Sequence, residues 1–368
     1  MQLLRATGRA GSGTLVSRVL GFARDVVIAR VFGAGAATDA FFVAFRIPNL
    51  MRRLFAEGSF SLAFVPVLSE YRSREQSGEL RELLDAVAGV MIAALLVVTG
   101  AGMLLAPVLI GLFAPGFMDK PESFELAVDL LRVTFPYLLL VSLTALAGGI
   151  LNTFERFWLP AVTPALLNIA LITAALAGAA HFEPPIAALA WGVTVAGVLQ
   201  VGLQVPALQR LGLLPRPRLR PGYPGVRRIG RLMVPTLFAS SVAQINVLLD
   251  TLLASLLVTG SVSWLYYGDR LVEFPLGVFG IALSVVILPR LSRSFADANH
   301  GDYVATLDWA LRLAALITIP AAAGLALLAL PIVTTLFQYG EFGGEDARMA
   351  ALALLAYAGG LPGFVGVK

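Results

Sequence analysis

Long apolar stretches without a charged residue recur along most of the sequence and constrain the fold more than any other feature. They cover 86–118, 133–154, 157–180, 184–209, 232–249, 251–268, 313–340 and 349–367. A helix that crosses the hydrocarbon core of a bilayer needs about 20 mostly apolar residues. Only 14% of the 368 residues are charged, against roughly 25% in an ordinary soluble protein. The sequence therefore predicts an all-α, polytopic integral membrane protein.

We expect about ten transmembrane helices. The N-terminal part carries several charges but fits two spans, 12–33 and 39–68, divided by the turn-forming Gly33-Ala34-Gly35. The run 251–268 divides between its neighbours around Gly260. Sixteen arginines fall in segments that share one side if the spans alternate and the N-terminus is cytoplasmic. Because cytoplasmic loops are enriched in Lys and Arg, we expect a multi-pass protein with its N-terminus in the cytoplasm.

An internal repeat divides the chain into two parts. Residues 68–85 align without gaps with residues 291–308, which places three pairs in register: Pro66 with Pro289, Gly78 with Gly301, and Asp85 with Asp308. Two copies in the same orientation predict two parallel lobes, an arrangement typical of transporters. We expect an N-terminal six-helix lobe at 1–223 and a C-terminal lobe at 224–368. The second lobe supplies only four spans, so we expect it to be incomplete.

Ionisable and polar residues inside the predicted spans are the candidate functional residues. A charged group at the bilayer centre costs about 2.5–3.5 kcal/mol, so it needs a reason to be there. The first span carries Arg18, Arg24 and Asp25; the second carries Asp39, Arg46, Asn49, Arg52, Arg53 and Glu57; the seventh carries Asp250; and the eighth carries Ser263, Tyr266, Arg270 and Glu273. One explanation is structural, since paired or snorkelling charges can hold helices in register. The other is a polar chamber for an anionic substrate, because a guanidinium binds phosphate or carboxylate through two parallel hydrogen bonds.

Two further features limit the function. The chain has no cysteine and two histidines, which excludes disulfides, thiol catalysis and a Cys/His metal site. The longest inner loop, 211–231, is rich in arginine and proline. It is either a basic linker between the two lobes or a binding surface for anionic lipid headgroups.

Several longer segments resemble a known family. The N-terminal part contains SRVLGFARD at 17–25, ARVFGAG at 29–35, TDAFFVAFRIPNLMRRLFAEG at 38–58 and AFVPVL at 63–68, and YYGDRLVEFPLG follows at 266–277. These segments resemble the MurJ (MviN) lipid II flippases of the multidrug/oligosaccharidyl-lipid/polysaccharide exporter superfamily. The similarity is nearly continuous over residues 14–70 and weaker along the rest of the chain.

The resemblance implies a transporter and not an enzyme. Its substrate would be lipid II, the undecaprenyl-diphosphate-linked disaccharide pentapeptide of peptidoglycan biosynthesis, moved from the inner to the outer leaflet of the bacterial cytoplasmic (inner) membrane by alternating access. The family's cavity arginines match Arg18, Arg24, Arg52 and Arg270, and its other polar positions match Asp25, Asp39, Asn49, Glu57, Ser263 and Glu273.

The resemblance also implies what accompanies transport. Because the diphosphate carries about two negative charges, an inside-negative membrane potential would favour its outward movement and could drive the cycle. A sodium ion is reported for the family and would have Asp250 as its candidate ligand, and no other cofactor is expected. The expected partners are lipid II and membrane lipids, without nucleic acid, and the transporter would act as a monomer.

Three alternatives remain open at this stage. The chain could export another lipid-linked oligosaccharide, or it could export drugs. Drug exporters more often present acids and aromatics to cationic substrates, so the arginines count against that reading. A membrane enzyme acting on polyprenyl diphosphates would need clustered metal-binding carboxylates, whereas the acids of 69–85 are interleaved with basic residues.

Overall fold

The computed structural model describes residues 2–53, 59–73, 77–277, 281–297 and 299–367, and every regular element in these ranges is helical. The α-helices are α1 (Gln2–Phe32), α2 (Ala36–Met51), α3 (Ser61–Ser73), α4 (Ser77–Leu104), α5 (Ala106–Phe113), α6 (Pro121–Thr134), α7 (Tyr137–Thr153), α8 (Trp158–Val162), α9 (Ala165–Thr173), α10 (Ala187–Arg210), α11 (Pro224–Ser255), α12 (Ser261–Pro275), α13 (Ile281–Ala296), α14 (His300–Leu327), α15 (Ala329–Phe337) and α16 (Gly344–Gly366). The predicted all-α class is confirmed.

Six helical stretches among the described residues are long and apolar enough to cross a membrane. They are Gly78–Leu104, Pro121–Thr153, Trp158–His181, Ala187–Arg210, His300–Leu327 and Gly344–Gly366. The remaining long helices include α1, α2 and α12, which hold the ionisable residues singled out above and are therefore less apolar. The multi-pass character is confirmed, and the count of ten spans stays a prediction.

The glycines expected to divide spans do so. Gly33 lies between α1 and α2 with φ +64°, and Gly260 precedes α12 with φ +99°. Both angles lie in the left-handed region, where glycine has no Cβ to clash. The apolar runs 86–118 and 313–340 are each interrupted, because α4 ends at Leu104 before the short α5, and α14 ends at Leu327 before the short α15.

The helices reproduce the sequence repeat. The helix α4 runs from Ser77 to Leu104 and α14 from His300 to Leu327, so both have 28 residues and differ by 223 in number. The short helices that follow begin at Ala106 and Ala329, again 223 apart. Two copies of the same helix, break and short helix match the repeat seen in the sequence, and the parallel orientation of the two lobes stays a prediction.

The chain packs as two compact units. The first comprises Met1–Ile28 with Ala36–Thr259, and the second comprises Ala29–Gly35 with Gly260–Lys368. The helix α11 packs against α3 and α4 and thus belongs to the first unit. The predicted lobes, 1–223 and 224–368, follow the sequence repeat, and their boundary differs from that of the two packing units. The division into lobes stays a prediction.

The first unit buries an apolar core where α3, α4 and α7 meet. Phe60 and Phe64 stack with ring centroids 4.9 Å apart, and Leu68, Leu83 and Ile150 pack around them, fully buried. On another side, α10 packs along α7 and α9. These contacts fix the three helices α7, α9 and α10 relative to one another. All three contribute side chains to the candidate site.

The second unit is organised around α16, which packs against α12, α14 and α15. Tyr267 lies 5.2 Å from the Phe337 ring and 5.3 Å from the Phe342 ring, and all three are buried. Trp264 donates from Nε1 to Asp346 Oδ1 at 2.9 Å, which ties the start of α12 to the start of α16.

The basic loop after α10 lies along α4. The backbone N–H of Arg216 donates to Asp85 Oδ1 at 2.7 Å, and that of Arg218 donates to the Asp85 carbonyl oxygen at 2.9 Å. A Cβ at Gly89 would lie 2.2 Å from the Arg218 carbonyl oxygen, so only glycine permits this approach. The helices that this loop joins, α10 and α11, both belong to the first unit, so the loop connects two helices of one unit. A linker between the two repeat lobes and the binding of anionic lipid both stay predictions.

Tyr223 closes the end of this loop. Its hydroxyl donates to the Glu79 carbonyl oxygen at 3.4 Å, and its ring lies 6.5 Å from that of Tyr71. Burial, followed by the neighbouring Tyr71, raises the pKa of Tyr223 to about 12, so the hydroxyl stays a neutral donor at physiological pH.

Asp85 is the residue on which this docking depends, because it is buried and accepts hydrogen bonds through both its side chain and its carbonyl. We expect Asp85→Ala to cost about 1.5–3 kcal/mol, since it removes the buried carboxylate that accepts from the Arg216 N–H and pairs with the Arg218 guanidinium at 3.7 Å. The loop should then open, and trypsin should cleave the Arg218–Leu219 bond faster than in the wild type.

The matched control is Glu82→Ala on the same helix. Glu82 is half-exposed and reaches Arg220 only at 4.0 Å, and exposed pairs of this kind contribute at most about 1 kcal/mol. Equal cleavage rates for both variants would contradict the anchoring role of Asp85.

Candidate substrate-binding site

Arg24 and Asp25 form a buried ion pair near the C-terminal end of α1. Asp25 Oδ1 accepts from Arg24 Nε at 2.9 Å and from Nη2 at 2.5 Å, and the two residues are 6% and 1% exposed. Arg24 Nη1 also donates to Asn168 Oδ1 at 3.1 Å, and Asn168 Nδ2 donates to the Ser17 carbonyl oxygen at 2.9 Å. The amide on α9 therefore orients a guanidinium on α1.

Arg52 follows α2 and lies close to Asn49. Its Nε donates to Asn49 Oδ1 at 2.9 Å, one helical turn back along the chain. Arg52 also lines a cleft of about 370 Å³ within the first unit. We call this the amide cleft. Its polar lining residues are Ser17, Arg52, Ser61, Tyr137, Thr144, Asn152, Thr163, Asn168, Gln200 and Gln204. Asn168 thus connects the Arg24–Asp25 pair with the cleft that Arg52 lines.

Arg270 has a compact set of contacts on α12 in the second unit. Its Nη1 donates to Glu273 Oε2 at 2.6 Å, and its Nη2 donates to the Tyr266 hydroxyl at 3.2 Å. The guanidinium carbon lies 5.1 Å from the Tyr266 ring centroid, within the range of a cation–π contact. The predicted spacing of Tyr266, Arg270 and Glu273 does bring them together on one helix face.

The remaining predicted residues lie in different surroundings. Asp39 and Ser263 are buried, Arg18 is exposed on α1, and Asp250 is exposed on α11. Glu57 lies outside the described residues. No group of three His, Cys, Asp or Glu side chains with metal-binding spacing occurs in the part of the chain that was searched, and the sodium ligand stays a prediction.

Arg46 on α2 makes a contact that the sequence did not predict. Its Nη1 donates to the hydroxyl of Thr251 near the C-terminal end of α11. The same end of α11 is tied to the first unit by Ser255, whose hydroxyl accepts from the Gly116 backbone N–H at 3.2 Å. Arg46 thus joins α2 to α11 within the first unit. This contact fits the structural explanation given above, in which charged residues inside the membrane hold helices in register.

The sequence reasoning missed the amide side chains. Asn152, Asn168, Gln200 and Gln204 lie in stretches judged only by their lack of charge. A signal was present, since Gln200 and Gln204 are four residues apart in an apolar helix and therefore share one face. Amides in such helices commonly form hydrogen bonds with neighbouring helices.

The ion pair gives a direct prediction about stability. We expect Asp25→Asn to cost about 3–5 kcal/mol, because it leaves the Arg24 charge buried without its counter-charge. Thermal unfolding of the purified protein in detergent measures this loss. The double variant Arg24→Gln with Asp25→Asn removes both charges and should lose much less. If Asp25→Asn is as stable as the wild type, Asp25 does not compensate the buried charge of Arg24.

Comparisons with known proteins agree with this architecture. A family model described as "Lipid II flippase MurJ" matches residues 28–368. The chain is 45% identical over its full length to the lipid II flippase MurJ of Burkholderia cenocepacia, of which it spans 72%. It is 46% identical to a probable lipid II flippase MurJ of Vibrio cholerae, again over its full length, and spans 71% of that protein.

Solved structures show the same fold. A lipid II flippase MurJ in an inward closed conformation matches with a TM-score of 0.82 and 29% identity, covering 97% of this chain and 73% of that one. An inward-facing multidrug resistance transporter of the MATE family, in the MOP superfamily, matches with a TM-score of 0.69 and 14% identity, covering 98% and 83%. The second likeness concerns the fold alone. The family match and the full-length identities show that this chain belongs to the lipid II flippase MurJ family.

Proposed function

We propose that this protein is a lipid II flippase, which moves the undecaprenyl-diphosphate-linked peptidoglycan precursor from the inner to the outer leaflet. The observation that carries the proposal is the buried Arg24, held by Asp25 and Asn168 in the same unit as Arg52. Two arginines at such positions suit a diphosphate, and the relatives with which the chain aligns over its full length are named lipid II flippases.

The arginines would bind the diphosphate electrostatically, and no covalent bond of the substrate would form or break. A polyprenyl diphosphate headgroup cannot cross about 30 Å of hydrocarbon unaided, because its charges would lose their hydration. Guanidinium groups replace part of that hydration with charge-assisted hydrogen bonds. Asp25, Asn168 and Asn49 would orient Arg24 and Arg52, and Glu273 and Tyr266 would orient Arg270. Alternating exposure of the bound headgroup to the two sides of the membrane would then move it across.

The driving force we propose is the membrane potential. A diphosphate headgroup carries about two negative charges, and moving each one outward across 100 mV, inside negative, releases about 2.3 kcal/mol. This holds if no protein charge moves with the substrate. The protein would then act as a monomer in the inner membrane, with its N-terminus and the basic loop 211–231 in the cytoplasm.

The direct test is lipid II flipping in cells depleted of their own flippase. We expect Arg52→Ala to reduce flipping by about tenfold or more, since it removes a charged hydrogen-bond donor. Wild-type flipping should also slow when a protonophore collapses the membrane potential. Exposure of lipid II to a probe outside the cell measures both rates.

The matched control is Arg132→Ala on α6. Arg132 is exposed and pairs at 3.2 Å with the exposed Asp129, so its loss should leave flipping unchanged. Normal flipping by Arg52→Ala at equal expression would overturn the assignment of Arg52 to the substrate.

A further inference from the structure

The amide cleft contains a buried hydrogen-bond acceptor for which the described residues supply no donor. Gln200 and Gln204 lie one turn apart on α10, and both are buried. Burying an amide group is unfavourable unless its polar atoms form hydrogen bonds. The two glutamines differ in this respect, and the difference indicates which part of the cleft is structural and which part is left for a ligand.

Gln200 is satisfied within the protein. Its Oε1 accepts from the Tyr137 hydroxyl at 3.5 Å, and its Nε2 donates to the Thr163 carbonyl oxygen at 3.4 Å. These contacts join α10 to the start of α7 and to the segment between α8 and α9. Both ends of the Gln200 amide thus contribute to helix packing.

Gln204 is satisfied on one side only. Its Nε2 donates to Thr163 Oγ1 at 3.1 Å, which fixes the orientation of the amide. Its Oε1 has no hydrogen-bond donor within reach among the described residues, although Gln204 is only 1% exposed. This oxygen faces Gly148 on α7, where an added Cβ would lie 3.8 Å away. The acceptor therefore lies against the Gly148 side of the amide cleft, which both residues line.

We propose that Gln204 is a specificity residue that accepts a hydrogen bond from the uncharged part of the headgroup. The donor would be an N–H or O–H of the sugar–peptide portion, while Arg52 in the same cleft binds the diphosphate. The cleft volume of about 370 Å³ falls in the range of ligand pockets, roughly 300–1,000 Å³. This inference rests on the proposed function, because it assigns the amide cleft to the sugar–peptide portion of the same substrate.

The test compares the binding of two lipids to the purified protein in detergent. One is lipid II, and the other is undecaprenyl diphosphate, which lacks the sugars and the peptide. We expect Gln204→Leu to weaken lipid II binding about tenfold, the effect of one lost hydrogen bond, and to leave binding of undecaprenyl diphosphate unchanged. Arg52→Ala should weaken the binding of both lipids.

A second variant keeps the test informative if Gln204→Leu folds poorly. In Gly148→Ala, the new methyl would make ordinary contacts, at 3.5 Å from Pro160 and 3.8 Å from Gln204 Oε1. It should weaken lipid II binding by partly covering the acceptor. The matched control is Gly202→Ala on α10, where an added Cβ meets nothing within 4 Å and binding should not change.

The outcomes separate this inference from the proposed function. If Gln204→Leu and Gly148→Ala bind lipid II as tightly as the wild type, the acceptor is satisfied by water alone and the inference is overturned. It is equally overturned if they weaken the binding of both lipids to the same extent, which a structural role would predict. If Arg52→Ala binds both lipids normally, the proposed function fails at its diphosphate site, whatever the Gln204 variants do.

Discussion

The pairing of a buried guanidinium with a buried carboxylate is the interaction on which the site depends. Arg24 lies on a helix of a protein whose surroundings are mostly hydrocarbon, where a lone charge would be costly. Asp25 neutralises it, and Asn168 directs it from α9, 144 residues away in sequence. Because the carboxylate and the amide belong to different helices, the packing of α1 against α9 determines where the guanidinium points.

In the amide cleft, buried uncharged groups are likewise oriented by hydrogen bonds from other parts of the first unit. Thr163 holds both glutamines of α10, through its carbonyl oxygen for Gln200 and its hydroxyl for Gln204. Buried polar networks that are fully satisfied stabilise a fold, whereas an unsatisfied atom indicates a place for water or a ligand. The cleft contains both kinds of group, which is the arrangement expected of a binding site built on rigid helices.

Much of the fold could be predicted from the sequence because it depends on local patterns. Apolar runs indicated the helices, and the alignment of residues 68–85 with 291–308 predicted a repeat that α4 and α14 reproduce residue for residue. The turns at Gly33 and Gly260 followed from glycine's freedom to adopt positive φ. The contacts of Arg270 with Tyr266 and Glu273 were also predictable, since these two residues lie one turn before and one turn after Arg270 on α12.

The rest of the site could not be predicted, because it depends on contacts between distant helices. Nothing in the local sequence of α9 shows that Asn168 binds Arg24, or that Arg46 reaches Thr251 on α11. Nor does the sequence around Asp85 show that it anchors the basic loop through two backbone N–H groups. Helix packing determines these partners.

The most direct test of the central claim separates the charge of Arg24 from its contribution to folding. It compares lipid II translocation in reconstituted liposomes by the wild type and by the double variant Arg24→Gln with Asp25→Asn, which removes both buried charges. The account predicts that the double variant unfolds near the wild-type temperature but translocates lipid II at the rate of protein-free liposomes. Translocation at the wild-type rate would show that the buried arginine serves the fold and not the substrate.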